Sequence, residues 1–289
     1  MRMSGHALRR LAYFGARNLP SAALRVLPPL FGALFAALLS ERRRQVVNTL
    51  RWITGRSPLA RDVLGSFVDF AYCLTESLAV GRRAVKIEVA GREFLDRPIA
   101  EGGDARRTGA IIATAHIGAW DVAAAALASE LDISLTLVME AEADRDARIL
   151  HDSVRKRAGL RIAHVGASWL DALPLLRRLQ KGEVLALQLD RPAPSGRAVR
   201  GWLFGRQFGV PEGIFKLAQL SGAPIIPVFS RRSGFFSHRV RVFPEIRLSR
   251  RAPASELQAA AQVALDCLET FVAEAPRQWF FFHELPPET

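Results

Sequence analysis

Residues 108–130, with the sequence TGAIIATAHIGAWDVAAAALASE, decide how the rest of the chain is interpreted. The run with β-branched residues at 109–115 predicts a buried strand, and the alanine-rich run from Asp121 onward predicts a helix. His116 and Gly118 lie between the two. Because open α/β sheets bind their ligands at the carboxyl ends of the strands, the stretch predicts a functional site at this strand-to-helix turn.

His116 and Asp121 have a spacing that suits acid–base chemistry only in a turn. On one regular helix the two side chains would point roughly 140° apart. If Gly118 permits a tight bend, the Asp121 carboxylate can instead reach back to the imidazole. In such a dyad the histidine is a general base and the carboxylate fixes its tautomer, with no serine or cysteine nucleophile. The alternative is a helix-capping turn in which Asp121 only favours the helix dipole, and the short pattern leaves both interpretations open.

The composition indicates a globular protein and predicts that its partner is anionic. The 289 residues are 49% hydrophobic and 24% charged, which is enough to bury a large core, and the net charge is +12. A nucleic acid, an anionic membrane surface or an acidic carrier would suit that charge. The arginines follow no basic stripe with interleaved aromatic residues, so we expect no nucleic-acid partner. We also expect no metal and no cofactor, since Cys73 and Cys267 lack ligand spacing and neither a P-loop nor an H-E-x-x-H motif is present.

The first eighty residues differ from the remainder. Residues 19–39, LPSAALRVLPPLFGALFAALL, are apolar except for Arg25, and a basic run follows. The uncharged part is shorter than the roughly 20 residues that a spanning helix requires. We expect an apolar helix that begins at Pro28 and Pro29 and lies in the bilayer interface or dips into it, next to clustered arginines. The alternative is a buried helix of a soluble domain.

The hydrophobic pattern predicts two regions: helical residues 1–80, which associate with a membrane, and an α/β domain at residues 81–289. Strands alternating with helices indicate a mostly parallel central sheet flanked by helices. We predict helices in 45–81, with a break at Gly55 and Pro58, and at 91–99, 143–158, 169–180 and 254–273, and a further helix that residues 210–213 open. We predict strands at 85–89, 110–115, 133–138, 161–165, 184–189, 223–229 and 238–243, and a strand or hairpin at 198–208.

Further candidate site residues follow other predicted elements. Asp190 comes directly after a predicted strand, so it should project from the same sheet edge as His116, with Arg191 beside it. A turn aspartate that only ends the strand is the alternative. Arg155 and Arg157 lie on a predicted helix, where an arginine can stabilise an oxyanion or hold a phosphate, although a solvated helix face explains them equally well.

A set of motifs between residues 42 and 284 resembles the lysophospholipid acyltransferase superfamily. Within that superfamily the motifs resemble the bacterial lipid A biosynthesis lauroyl/myristoyl acyltransferases and the related phosphatidylinositol mannoside acyltransferases. The motifs are, in chain order, RRRQVVNTL, AHIGAWD, VME, VRKRAG, LALQLDRP, WLFGRQFGVPEG, LAQLSGAPIIPVFSRR and PRQWFFF.

This resemblance implies transfer of a fatty acyl group from acyl carrier protein or coenzyme A to a hydroxyl of a membrane lipid, such as a lipid A precursor. It implies no metal and no covalent acyl-enzyme, and a site at the cytoplasmic face of the bacterial inner membrane, reached as a monotopic protein or through one N-terminal anchor. An acceptor such as a phosphatidylinositol mannoside, an ornithine lipid or another lysolipid is an alternative, as is a catalytically silent homologue at the membrane surface.

The resemblance also assigns roles to the candidate residues. His116 matches the family's base and Asp121 its charge partner, where lipid A enzymes commonly have glutamate. That departure favours the mannoside branch, as does the pair Asp190 and Arg191. Arg155 lies near the position of the family's functional arginine, and Arg157 is the other residue that could match it.

Overall fold

The computed structural model describes residues 5–95, 109–142, 144–166, 169–191 and 196–285. Helices and strands alternate through most of these residues, as the hydrophobic pattern predicts. In chain order they are α1 (Gly5–Asn18), α2 (Ser21–Leu38), α3 (Ser40–Thr54), α4 (Ala60–Leu78), β1 (Lys86–Ala90), β2 (Ile111–Thr114), α5 (Trp120–Glu130), β3 (Leu135–Glu140), α6 (Arg145–Arg157), β4 (Arg161–Val165), a 3-10 turn (Trp169–Asp171), α7 (Ala172–Gln180), β5 (Val184–Gln188), β6 (Ala198–Leu203), β7 (Arg206–Pro211), α8 (Glu212–Ser221), β8 (Ile225–Gly234), β9 (Ser237–Val242), α9 (Ala254–Glu274) and a second 3-10 turn (Pro276–Gln278).

The central sheet has the strand order β1-β9-β8-β2-β5-β3-β4. Neighbouring strands run parallel except for β8 and β9, which form an antiparallel pair. β6 and β7 form a separate hairpin. The predicted α/β fold with a mostly parallel sheet flanked by helices is confirmed, and residues 198–208 belong to a hairpin rather than to one strand.

Apolar side chains cover both faces of the sheet. Successive residues of β2 point to opposite sides, so Ile111 belongs to one core cluster and Ile112 to the other. Both side chains are almost fully buried, as expected for a strand in the middle of a parallel sheet. This double burial explains why residues 109–115 carry no polar side chain before Thr114.

The apolar N-terminal helix begins earlier than predicted. α2 starts at Ser21 and contains Pro28 and Pro29 in its interior. A proline nitrogen cannot donate to the carbonyl four residues earlier, which for Pro29 is the carbonyl of Arg25. The hydroxyl of Tyr72 on α4 donates to that carbonyl at 2.6 Å, so a tertiary contact replaces the lost helical bond.

α2 packs closely against α4. A Cβ atom on Gly32 would lie 2.8 Å from the Cα of Val68, so only glycine allows this approach of the two backbones. By length and composition α2 is apolar enough to cross a membrane, with a mean hydropathy of 1.6, and most of it is not buried by the protein. The boundary that we predict between residues 80 and 81 follows α4 closely and stays a prediction.

Two other boundaries differ from the predicted ones. The predicted helix at 91–99 runs past residue 95 and so lies partly outside the described residues. β8 is longer than the strand predicted at 223–229, because its second half pairs with β9 as far as Gly234. That pairing depends on β9, which comes later in the chain, so the sequence pattern of β8 alone does not predict its full length.

Candidate active site

His116 and Asp190 meet at the carboxyl edge of the sheet because of strand register. β2 and β5 are parallel neighbours, and Thr114 lies opposite Gln188. His116 lies two residues after the end of β2, and Asp190 lies two residues after the end of β5. Both residues therefore lie at the same position along the carboxyl edge of the sheet. The structure therefore brings together the histidine and the aspartate that the sequence placed at the ends of two separate strands.

The Asp190 carboxylate is the direct partner of the His116 imidazole. Oδ1 of Asp190 lies 2.9 Å from Nδ1 of His116, and Oδ2 accepts the His116 backbone amide at 2.9 Å and the Trp279 indole N–H at 2.8 Å. Burial raises the pKa of Asp190, but the charge of His116 and these hydrogen bonds together hold that pKa below its ordinary value. Asp190 is therefore ionised at neutral pH and accepts the proton of Nδ1, which leaves Nε2 of His116 as the basic nitrogen.

The C-terminal segment holds this pair in place. Ile117 and Trp279 form an antiparallel bridge, and the backbone amide of Phe280 donates to the carbonyl of His116 at 2.8 Å. Gly118 has a φ of +60°, and a Cβ atom there would lie 2.7 Å from the carbonyl oxygen of Ser230. Only glycine fits this turn, which agrees with the bend predicted at Gly118.

Asp121 lies in the same cleft, and its hydrogen bonds go to other residues. Oδ1 accepts the Ser77 hydroxyl at 2.6 Å and the backbone amide of Val122 at 3.0 Å. Oδ2 lies 3.3 Å from Nε of Arg155. In the described part of the chain the carboxylate bonded to His116 is thus that of Asp190, while Asp121 joins α4, α5 and α6 behind the histidine.

The three candidate arginines take different positions. Arg155 lies in the cleft, with its guanidinium 5.6 Å from the centre of the Trp120 ring. Arg157 donates to the hydroxyl of Tyr13 on α1 at 2.8 Å and does not line the cleft. Arg191 does line it, with Nε 3.1 Å from Nδ1 of His116.

The cleft has a volume of about 200 Å³ and is lined by both polar and apolar side chains. The polar ones include His116, Asp121, Arg155 and Arg191, and the apolar ones include Phe70, Leu74, Phe280 and Phe282. A larger cleft of about 450 Å³ lies near residues 231–233 and 275–278, but none of the predicted site residues lines it. The smaller cleft is therefore the candidate active site.

Sequence reasoning assigned no role to several residues of this site. Trp279 lies in the motif PRQWFFF, but nothing in that motif indicates a bond to Asp190. Ser77 lies in none of the sequence motifs, and only the packing of α4 brings its hydroxyl to Asp121. His151 also lines the cleft, with Nδ1 2.6 Å from a carboxylate oxygen of Glu142.

The cysteine of the cleft is a poor nucleophile. Cys73 is buried, and burial raises the pKa of its thiol well above the ordinary value, so the thiol stays protonated. Burial likewise raises the pKa of Cys267 to about 11. Among the described residues, no three histidine, cysteine or acidic side chains lie close enough together to hold a metal ion.

Comparison with models of known protein families matches residues 8–285 to the bacterial lipid A biosynthesis acyltransferases. The chain belongs to this family. It is accordingly an acyltransferase, whose family is associated with membranes and uses an acyl thioester donor and a lipid acceptor. A search of curated proteins found no match. The family membership agrees with the resemblance carried by the motifs, of which AHIGAWD and LALQLDRP supply His116 and Asp190.

Proposed function

We propose that the protein transfers a fatty acyl group from acyl carrier protein or coenzyme A to a hydroxyl of a membrane glycolipid, such as a lipid A precursor. The contact between His116 Nδ1 and Asp190 Oδ1 carries this proposal. A histidine whose one nitrogen donates to a buried carboxylate has its other nitrogen free to remove a proton. The side chain of His116 is partly exposed and borders the cleft, so we place the reacting atoms there.

The proposed reaction needs no covalent enzyme intermediate. Nε2 of His116 takes the proton of the acceptor hydroxyl as the oxygen attacks the thioester carbonyl, and Asp190 stabilises the imidazolium that forms. The carbon–sulfur bond then breaks, and the imidazolium returns the proton to the leaving thiolate. The protonated thiol of Cys73 plays no part in this sequence, so transfer is direct.

The N-terminus of α5 is suited to the negative charge of the tetrahedral intermediate. α5 begins at Trp120, directly after the turn that contains His116, and its N-cap residue Ala119 makes no side-chain capping bond. The Val122 amide donates to Asp121, so in this proposal the amide groups of Trp120 and Asp121 are the ones that can donate to an oxyanion. In this proposal Arg155 acts mainly through Asp121, because Nε of its guanidinium is already occupied by that carboxylate.

An apolar surface leads from the N-terminal helices toward the cleft. α1 exposes Leu11 and Phe14, and α2 exposes a row of large apolar side chains including Leu30 and Leu34. On α4, Phe70 and Leu74 are partly exposed and also line the cleft. We propose that this surface lies in the cytoplasmic leaflet of the bacterial inner membrane, so that acyl chains reach His116 without crossing water.

The proposal is tested by lipid mass spectrometry after incubating the purified protein with acyl-coenzyme A or acyl carrier protein and bacterial membrane lipids. We expect one lipid class to gain a single acyl chain, and His116→Ala to lower that rate by at least about 10²-fold, a typical contribution of general-base catalysis. Acylation of a phosphatidylinositol mannoside or an ornithine lipid would change the acceptor and keep the mechanism.

A matched control is His164→Ala, which removes a histidine that is paired with Asp152 outside the cleft. This variant should retain the wild-type rate. If His116→Ala transfers acyl groups as fast as this control does, the assignment of the base is wrong. If the wild type acylates no lipid but still binds vesicles, the protein is the silent membrane-surface homologue instead.

A further inference from the structure

Two arginines meet where α1 joins α2, and neither lines the cleft of His116. Arg83, which follows α4, donates from Nη2 to the carbonyl of Leu19 at 2.7 Å and from Nη1 to the hydroxyl of Ser21 at 2.9 Å. Arg25 lies one helical turn after Ser21, so both residues are on the same face of α2. The hydrogen bonds of Arg83 therefore bring its guanidinium to the turn of α2 that carries Arg25.

An aromatic pair at the turn between β8 and β9 holds both guanidinium groups. The guanidinium of Arg25 lies 4.8 Å from the centre of the Phe235 ring, and that of Arg83 lies 5.8 Å from the centre of the Phe236 ring. The two rings contact each other, with their centres 4.9 Å apart. An aromatic face attracts a guanidinium and leaves the N–H groups at its edge free to bind an anion. Adjacent rings thus hold the two arginines close together.

The protein does not neutralise these two positive charges. Among the described residues, no acidic side chain forms an ion pair with Arg25 or Arg83. Glu76 accepts the backbone amide of Phe236, but its carboxylate is already paired with Arg232. The first turn of α2 contains no acidic residue, and a cation at the N-terminus of a helix is unfavourable. A bound anion would therefore stabilise this junction.

The hydrogen-bond donors of Arg83 lead to the same conclusion. Its Nη1 and Nη2 groups donate to neutral oxygens, and its Nε is buried without a hydrogen-bond acceptor. An unsatisfied donor in a buried position costs free energy, and arginine donors bind most strongly to phosphate or carboxylate oxygens. The junction thus lacks an anionic acceptor as well as a negative charge.

The apolar surface beside the two arginines favours a lipid over an acidic protein as the source of the anion. Val26 follows Arg25 directly and is exposed, and Leu30 continues the exposed row one turn later on α2. An acidic protein surface would contact the arginines but leave this apolar row in water. An anionic phospholipid carries its phosphate and its acyl chains in one molecule, and so matches both features.

We propose that Arg25 and Arg83 bind the phosphate of an anionic membrane phospholipid, whose acyl chains lie along the exposed apolar face of α2. Two guanidinium groups offer the several N–H donors that a phosphate with several acceptor oxygens can accept. The inference rests on the membrane-facing surface proposed above. It adds a specific headgroup site, separate from the cleft, where the bound lipid is an anchor and not a substrate.

α4 connects this headgroup site to the cleft. The hydroxyl of Tyr72 on α4 donates to the backbone carbonyl of Arg25 at 2.6 Å. Phe70 and Leu74, on either side of Tyr72 in the sequence, line the cleft. A phospholipid headgroup held at Arg25 would therefore fix the depth at which the mouth of the cleft meets the membrane.

The test measures lipid binding to the whole protein in a neutral detergent, where no charged membrane surface acts on it. Phosphatidylglycerol and the diacylglycerol with the same acyl chains are titrated separately, and native mass spectrometry counts the lipid molecules that are retained. We expect the wild type to retain one phosphatidylglycerol and to bind it at least about tenfold more tightly than diacylglycerol, as charge-assisted hydrogen bonds predict.

Substitutions at Arg25 assign this preference to the junction. Arg25 is exposed, so its replacement should leave the protein folded, which the midpoint of thermal unfolding confirms. Arg25→Gln should reduce the preference to about twofold, because it removes the charge and the paired donors. Arg25→Lys keeps the charge without the paired donors and should keep part of the preference. Acyl transfer in detergent should proceed at the wild-type rate in both variants.

Three controls separate the headgroup site from other sources of affinity. Arg44→Gln removes one positive charge from an exposed position on α3, beyond the opposite end of α2, and should leave the preference unchanged. Glycerol 3-phosphate, which has the phosphate but no acyl chains, should not displace the bound phosphatidylglycerol. Acyl carrier protein, as the acidic protein probe, should bind Arg25→Gln and the wild type equally well.

Several results would overturn the proposal. A wild type without the preference would show that the junction binds no phosphate, and an Arg25→Gln protein that keeps it would place the lipid in the cleft. An equal loss in Arg44→Gln would indicate a general effect of charge. Lost affinity for acyl carrier protein in place of lipid would make the junction a protein contact. If the acyl-transfer proposal fails instead, an Arg25-dependent preference persists in a protein that acylates no lipid.

Discussion

Two clusters of described residues each combine a buried carboxylate with a histidine and an arginine, and we infer that they serve different ends. In the first, Asp190 contacts His116 and accepts a backbone amide, with Arg191 alongside. In the second, Glu76 on α4 accepts the side chain of Arg232 at 2.8 Å and the backbone amide of Phe236 at 3.0 Å, and it lies 3.1 Å from His238 Nε2. Both carboxylates are at most 1% exposed.

The difference between the clusters lies in what the histidine can reach. The side chain of His116 is 23% exposed and borders the cleft, whereas His238 is completely buried between β9 and α4. Arg232 is also covered, because its guanidinium stacks 4.0 Å from the centre of the Tyr72 ring. We therefore propose that a histidine, a carboxylate and an arginine form the reactive group at the strand end, whereas the same kinds of side chain stabilise the core around Glu76.

The largest effect should come from Asp190→Asn. The variant keeps the size of the side chain but removes the charge that fixes the His116 tautomer and stabilises the imidazolium. We expect the rate constant for acyl transfer to fall by about 10²- to 10⁴-fold, measured in a single turnover with acyl-coenzyme A. Asp266→Asn, at an exposed site on α9, is the matched control and should keep the wild-type rate.

If Asp190→Asn transferred acyl groups at the rate of this control, the first cluster would be structural like the second. The midpoint of thermal unfolding shows whether Asp190→Asn is folded. We expect the midpoint of the variant to lie within a few degrees of the wild-type value.

The second prediction concerns the structural cluster. Glu76→Gln leaves the covered charge of Arg232 without its partner, and breaking a buried ion pair in this way should lower the free energy of unfolding by about 3 kcal/mol. Glu88→Gln is the control, since Glu88 pairs with Arg239 where both side chains are more than half exposed, and it should cost less than about 1 kcal/mol. Urea unfolding in detergent measures both values.

The comparison would fail if Glu76→Gln were as stable as the control while its folded form lost activity as completely as Asp190→Asn. In that case Glu76 would belong to the reaction rather than to the core.

The smallest of these effects should come from Ser77→Ala, which changes the residue next to Glu76 on α4. Ser77 donates to Asp121 at 2.6 Å and so links the helix that carries the structural cluster to the cleft. Because Asp121 also contacts Arg155, we expect only about a tenfold lower rate of transfer, as the loss of one charge-assisted hydrogen bond predicts. An unchanged rate would mean that Asp121 acts as a helix cap alone.

Ser66→Ala separates the loss of the Asp121 contact from general damage to α4. Ser66 lies on the same helix and donates to the carbonyl of Arg277 at 2.8 Å, away from Asp121. A similar fall in rate for both serine variants would show that α4 has shifted as a whole.

The fold follows from local patterns to a large extent. Strands such as β2 and β5 are short apolar runs that end at polar residues, and these endings place His116 and Asp190 where parallel strands present their functional side chains. The predicted start of α2 is wrong because Pro28 and Pro29 do not mark a helix boundary. Their missing hydrogen bond is replaced by Tyr72, which is forty-seven residues from Arg25 in the chain, and no local rule contains such a contact.

The sequence identifies candidate site residues by their chemical type, whereas the residues to which they form hydrogen bonds depend on the fold. Asp121 is five positions from His116 in sequence, yet its carboxylate bonds Ser77, and Asp190 takes the imidazole from seventy-four positions away. Strand order decides this outcome, because β5 lies next to β2 in the sheet while α5 turns away from it. Sequence distance says nothing about which carboxylate is adjacent in the folded chain.

By itself the sequence determined the α/β class, the apolar N-terminal helix, the strand-end positions of His116 and Asp190, and the motifs that identify an acyltransferase family. Periodicity and turn chemistry act over a few residues, so they can be read along the chain. The tertiary structure alone decided that Asp190 is the partner of His116, that Trp279 donates to Asp190 and that Ser77 donates to Asp121. These contacts join segments that are far apart in sequence, and only the packing of strands and helices brings them within hydrogen-bond distance.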